Sequence, residues 1–120
     1  MRTVAAIVIL LLGASASAAE EVGGDVNALL ATYDGNDRAR HLYASIHADL
    51  IARGIWTAQA VYVARLKQQA LYCQPRGLTL TGEQIIELLR GSVQNDPDIG
   101  KLDTGLGILR AMEYTFPCSK

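Results

Sequence analysis

The hydrophobic positions of this chain form one short unbroken run and then a succession of helix-spaced stripes. Val4 to Leu12 is apolar throughout, with Met1-Arg2 before it and only small residues from Gly13 to Ala19 after it. Behind Asp25, Val26, Leu29, Leu30 and Tyr33 recur at the spacing of one helix face. Asp25 itself suits an N-cap, because its carboxylate can accept the orphan N–H groups of a first turn. Asp34-Gly35-Asn36-Asp37 is a turn signal.

The longest pattern runs from about Asp37 to about Lys67 without a proline and carries two stripes rotated from each other. Leu42, Tyr43, Ile46 and Leu50 make one; Ile51, Ile55, Ala58, Tyr62 and Leu66 make the other. A helix apolar on two faces has to be covered on two faces. The cover is either the other helices plus a partner chain, or a bundle wrapped around this helix. Gly54 between the stripes marks either a break into two helices or a point of close helix approach. Ala70 to Leu80 reads as a non-helical connection, since Pro75 disfavours helix at Gln74. Thr81-Gly82-Glu83-Gln84 matches a capping box, and Ile85, Ile86, Leu89 and Val93 then share a face. That helix should stop by Gln94, ahead of Asn95-Asp96-Pro97. A polar loop from Asn95 to Asp103 leads to a last helix capped by Asp103, with Leu106, Leu109, Met112 (or Glu113) and Phe116 as its expected buried face. Gly105 and Gly107 weaken its first turns but leave room for tight packing. Nothing reads as a strand. The expected class is all-α, a small four- to five-helix bundle.

The N-terminal run changes the picture of compartment. A positive start, a short apolar stretch and a small-residue region ending at Ala18 or Ala19 are the layout of a secretory signal peptide. The stretch is too short to cross a bilayer, which takes about 20 residues. The expected division is therefore a signal over residues 1–19 and one all-helical domain over 20–120, with the mature protein exported to the periplasm. Exported proteins keep disulfides. The chain has two cysteines, Cys73 and Cys118, so the one intramolecular bond available joins them. Closing a loop of that length stabilises a chain by about 4 kcal/mol in the entropic model. That is a large share of a small domain's total of about 5–15 kcal/mol.

Net charge is −1, and loss of Arg2 with the signal leaves ten basic residues against twelve acidic. With no basic run or patch, nucleic acid is not an expected partner. No basic amphipathic helix points to a membrane surface. His41 and His47, the two histidines, are six apart, unlike the i, i+4 pair of a zinc-binding helix, and read as surface or boundary residues. Both thiols are committed to the disulfide, and no nucleophile motif, phosphate loop or metal-ligand cluster is present. The expectation is a binding protein without cofactor or metal, not an enzyme. Trp56 lies off both main stripes and is a candidate for an interface; with Ile51, Ile55 and Tyr62 it forms the expected dimer contact.

Several segments together resemble a known family. Leu71-Tyr72-Cys73-Gln74-Pro75, then Leu78-Thr79-Leu80-Thr81 and Glu83-Gln84, Asn95-Asp96-Pro97 and the closing Phe116-Pro117-Cys118, with Gly54 and Ala58 in the long helix, resemble the periplasmic immunity proteins of bacterial type VI secretion systems, the Rap/Tai group. The resemblance covers about Asp37 to Cys118. It is nearest the branch that neutralises the fourth amidase-effector family, a cysteine peptidase cutting between D-glutamate and diaminopimelate. This chain departs from that branch at Gln74, where a proline is common, and at Gln59, where an asparagine is. The resemblance implies a homodimer that presents a helix and a protruding loop to a peptidoglycan amidase and occludes its active-site cleft. Carried onto this chain, the loop is Asn95 to Asp103, with Asp96, Asp98 and Lys101, and the adjoining face is Glu83, Glu87 and Arg90. Acidic groups there would steer encounter more than they would raise affinity. The competing expectation is a periplasmic acid-stress chaperone, also small, helical and single-disulfide; a lysozyme-type inhibitor is a third.

Overall fold

A computed structural model describes residues 24–119. The expected signal peptide, residues 1–19, lies outside the described residues. Four α-helices follow in order: α1 (Val26–Asp34), α2 (Arg38–Leu66), α3 (Gly82–Asn95) and α4 (Thr104–Thr115), with a 3-10 turn over Pro97–Lys101 between the last two. The described residues contain no strand beyond one isolated bridge between Asp25 and Asp103. The fold is all-α and closed by a Cys73–Cys118 disulfide.

Helix starts are written in the sequence and found where expected. Asp25 accepts from the Ala28 N–H at 2.8 Å, and Asp37 from Ala39 and Arg40. Thr81 and Gln84 close a reciprocal capping box, Thr81 Oγ1 accepting at 3.2 Å and Gln84 Oε1 at 2.8 Å. Asp103 accepts from Gly105 N–H at 2.9 Å. Helix α2 runs through Gly54 without a break, and a Cβ built on Gly54 would meet nothing within 4 Å. The close-approach role falls instead to other glycines. A Cβ on Gly82 would collide with the Ser45 carbonyl, and one on Gly107 with Val26 Cγ2. These contacts set α3 against α2 and α4 against α1.

The core is centred on Val26, Tyr72, Ile86, Leu89 and Ile108, all buried. Two inward faces differ from expectation. On α4 the buried positions are Thr104, Gly107, Ile108, Ala111 and Met112, while Leu106 is exposed. The Gly107–Val26 contact turns that face inward, about one residue round from the Leu106/Leu109 stripe. On α2 the buried positions are Ala44, Ser45, Ala48 and Gln59, the first three being small side chains that let α3 come close. Ile51 and Ile55 sit beside them and pack against the core. Of the four residues expected at a dimer contact, Ile51, Ile55 and Tyr62 are partly buried and Trp56 is exposed. Leu42, Tyr43, Ile46 and Leu50 point outward and are at least half exposed. The first stripe is thus exposed along its length, while in the second Ile51, Ile55 and Tyr62 are partly buried and Ala58 and Leu66 are exposed.

Candidate functional site

Asn95 to Asp103 is a folded unit. Pro97 opens the 3-10 turn, Asp96 caps it by accepting from Asp98 N–H at 3.1 Å, and Leu102 N–H closes it on the Ile99 carbonyl. Gly100 is buried against the Asn27 side chain and Ile99 is partly buried. With the inner side of the turn anchored, Asp98 and Lys101 are left on its outer side. They are strongly exposed and paired at 3.1 Å. Asp103 is different: its carboxylate is occupied as the α4 cap, and its backbone is tied to Asp25. It belongs to the frame that holds the turn.

Beside the turn lies a groove of about 560 Å³ between the end of α3 and the outer side of α4. Asn95, Asp96 and Ile99 line one wall; Arg110, Glu113 and Tyr114 line the other. Arg110 and Glu113 pair at 3.3 Å one turn apart. Tyr114 stands at the rim with 69% of its surface exposed. A half-wet aromatic next to an arginine and a carboxylate is the composition of an interface anchor. Arg110, Glu113 and Tyr114 are not evident from the sequence, because the expected α4 face was set one residue off. A correct register would have put them outward.

The three expected partners on α3 lie elsewhere. Glu83 is twelve residues before Asn95, about 18 Å along the helix axis. Its carboxyl is held below the ordinary carboxylate range by its own N–H at the helix start and then by the Ser45 hydroxyl. Glu87 contacts Arg90 at 3.4 Å, but the main partner of Arg90 is Asp34 at the end of α1, bound through two N–H groups, one at 2.8 Å and one at 2.6 Å. That guanidinium holds the Asp34 carboxyl below its usual range, and the Arg90 pKa is raised in return. Arg90 is thus a tie between α1 and α3. The structure brings Asn95, Asp96, Asp98 and Lys101 together on one turn, with Glu83 at the far end of α3 and Arg90 engaged by Asp34.

A second groove, of about 410 Å³, runs between α2 and the strap that follows it. Trp56 and Arg53 line one side, Pro75, Arg76 and Leu78 the other. The strap turns tightly there: Leu78 N–H meets the Pro75 carbonyl at 3.2 Å, and Gly77 takes a φ of 79° that a side chain would disfavour. Gln59 fixes the strap to α2. Its buried amide donates to the Tyr72 carbonyl at 3.1 Å and accepts from the N–H groups of Leu71 and Tyr72 at 2.9 and 3.1 Å. The Cys73 N–H then meets the Phe116 carbonyl at 2.8 Å, beside the disulfide. Tyr72 is buried with its ring 6.3 Å from Trp56, and its hydroxyl has no hydrogen-bond partner among the described residues. Burial raises its pKa. Trp56 is thus an exposed groove residue and Tyr62 is partly buried.

His41 and His47 are boundary residues. His41 stacks on Tyr33 at 4.0 Å and its Nδ1 lies 2.7 Å from the Tyr33 carbonyl, which requires Nδ1–H to be the donor. Among the described residues no group of three or more His, Cys, Asp or Glu side chains could hold a metal ion, and no helix is long and apolar enough to cross a membrane. Neither a family model, nor a curated protein, nor a solved structure matches this chain.

Proposed function

We propose that the protein is an exported immunity protein that binds a peptidoglycan amidase delivered by type VI secretion and occludes its active-site cleft. The single observation that carries the reading furthest is the capped turn at Asp96–Lys101 with Tyr114 and the groove beside it. Its inner side is anchored, its outer side is charged and exposed, and a large aromatic stands next to it. A rigid projection of this kind loses little conformational entropy on docking, which favours affinity. The resemblance of the Cys73 and Cys118 segments to the Rap/Tai group supports the choice of partner. The signal-like N-terminus supports a periplasmic location. On this reading the chain has no catalytic activity, cofactor or metal of its own.

The test is a titration of peptidoglycan amidases from the producing bacterium, following cleavage of peptidoglycan fragments. The unaltered protein should inhibit stoichiometrically. Alanine at Asp96, Asp98 and Lys101 together should weaken binding by about 10-fold or more, on the order of 1.4 kcal/mol. An unchanged titration curve removes this surface from the reading, and hydrolysis by the protein alone removes the reading itself.

One observation favours the acid-stress chaperone as a second reading: the outward apolar stripe of α2 is already exposed at Leu42, Tyr43, Ile46 and Leu50. Such a chaperone dissociates and partly unfolds near pH 2–3 to expose more. Dye binding and loss of helix at that pH would support it; a folded protein there would end it.

A further inference from the structure

The groove between α2 and the strap has a floor and a rim of opposite character. Its floor is the core itself: Ile85 and Met112 are buried there, with Leu80 partly buried beside them. Trp56, the chain's single tryptophan, stands on one wall with 47% of its surface exposed. Its volume of about 410 Å³ falls within the usual range of ligand sites, about 300–1,000 Å³.

The rim carries two guanidiniums and one carboxylate. Asp49 accepts from the Arg53 Nε–H at 2.9 Å, and no other side chain among the described residues pairs with that guanidinium. Arg76, exposed on the strap, has no ion pair among the described residues. The chain as a whole is slightly acidic, with a net charge of −1, so this positive rim is a local feature. The wall that bears Arg76 is held in shape. Gln74 donates to the Leu78 carbonyl at 2.6 Å, Gly77 supplies the positive φ of the turn, and Gln59 and the disulfide fix the start of the strap. A wall ordered in advance loses little entropy when something docks on it.

We propose that this groove docks an acidic segment of a partner protein, an extended peptide in which a bulky apolar residue is followed by aspartate or glutamate. The apolar side chain enters between Trp56 and Leu78 and covers Ile85 and Met112. The carboxylate meets Arg76 at the rim, where a guanidinium can bind both of its oxygens, with Arg53 as the second cation. The argument is charge complementarity over an apolar floor: a neutral segment would leave Arg76 unanswered, and a basic one would be repelled. An aromatic anchor beside a charged pair is also the arrangement that supplies most of the energy in small contacts. Both cations sit at the rim of an open trough, so a peptide chain can run on past the groove, whereas a small acid would stay half in water. The groove shares no residue with the Asp96–Lys101 turn or the Tyr114 groove, so the assignment stands whether or not an amidase is the partner.

Trp56 is its own reporter, since its emission is the chain's only tryptophan signal. The protein recovered from cells with its disulfide intact is titrated with N-acetylated pentapeptide amides, Gly-Phe-Glu-Glu-Gly and Gly-Leu-Glu-Glu-Gly, and with the same peptides carrying glutamine for glutamate. At least one acidic peptide should shift the emission to saturation, and its glutamine counterpart should bind about 10-fold or more weakly. Added salt should weaken the acidic peptide and leave the neutral one little changed. Arg76→Gln should keep the melting curve, because Arg76 is exposed, and lose most of the discrimination; Arg53→Gln/Arg76→Gln should lose the rest. Asp98→Ala/Lys101→Ala should leave these titrations unchanged, which separates this outcome from the fate of the amidase reading. No saturable shift with either acidic peptide, equal binding of charged and neutral peptides, or full discrimination by Arg76→Gln would each overturn the proposal. So would hexanoate binding as tightly as the peptides, which would make the occupant a small acid. An emission shift on dilution of the protein alone would put a second copy in the groove and overturn it as well.

Discussion

The segment from 67 to 81 and the segment from 96 to 103 each leave α-helical geometry between two helices, and they are held by different means. The second is held by its own residues. Asp96 caps the 3-10 turn, Pro97 fixes its first φ, Lys101 pairs with Asp98, and Asp103 starts the next helix. The first is held from a distance. Gln59 of α2 binds the backbone of Leu71 and Tyr72, Cys73 is bonded to Cys118, and the Cys73 N–H reaches Phe116. A locally held turn survives loss of any one distant contact. A remotely held strap fails when its anchors fail, and Tyr72, a core residue, goes with it.

The largest effect should come from opening the disulfide. Cys73→Ser/Cys118→Ser removes the clamp on a loop of 45 residues and should cost about 4 kcal/mol, measured by urea unfolding. Hydrogen exchange should accelerate first at Leu71 to Cys73 and leave Asp98 to Leu102 protected. Uniform acceleration would mean that the two segments are not held separately. Gln59→Leu comes next. It strands two N–H groups and a carbonyl at the strap, each worth about 1–3 kcal/mol when left buried and unpaired. Partial exposure of the strap will lower the total, and a loss of about 2–4 kcal/mol is expected.

How much of this was legible in the chain follows the same division. The caps at Asp25, Asp37, Thr81 and Asp103 lie within a few residues of what they bind, so sequence alone located the helix starts among the described residues. The disulfide was legible because only two cysteines exist. Gln59 was not, since a glutamine within an apolar stripe reveals its role only when a strap twelve residues on folds back over it. The side of α2 that stays uncovered was equally hidden. Both stripes are apolar, and the choice was made by small residues, Ala44, Ser45 and Ala48, that admit Gly82 of α3. The same kind of contact, Gly107 on Val26, turned α4 and brought Tyr114 to the candidate site. Of the expected site residues, those of the turn assembled as a unit, while Arg90 is engaged in tying α3 to Asp34 of α1.

Two smaller effects sharpen the comparison. Asp103→Ala removes the α4 cap and should cost about 1 kcal/mol in thermal unfolding. Any loss of amidase binding should track that loss of stability and exceed it only if Asp103 itself touches the partner. Asp34→Asn tests the Arg90 tie. The folded carboxyl titrates below the ordinary aspartate range because Arg90 binds the charged form. Its contribution is therefore present above about pH 4 and disappears as pH falls through the depressed value. Asp34 is half exposed and Arg90 about a third, so the pair contributes at most about 1 kcal/mol. The variant should be less stable at pH 7, with the difference shrinking as pH falls below about 4. So small a term cannot by itself unfold the protein in acid, and unfolding near pH 3 would need many carboxyls acting together.

The most direct measurement is the affinity of Tyr114→Ala for the peptidoglycan amidase proposed as its partner, by calorimetric titration at neutral pH. Tyr114 is exposed, so folding should be untouched and any change belongs to the contact. The account predicts binding weakened by about 10-fold or more with an unchanged melting temperature. An affinity equal to that of the unaltered protein would contradict the placement of the binding face beside the Asp96–Lys101 turn.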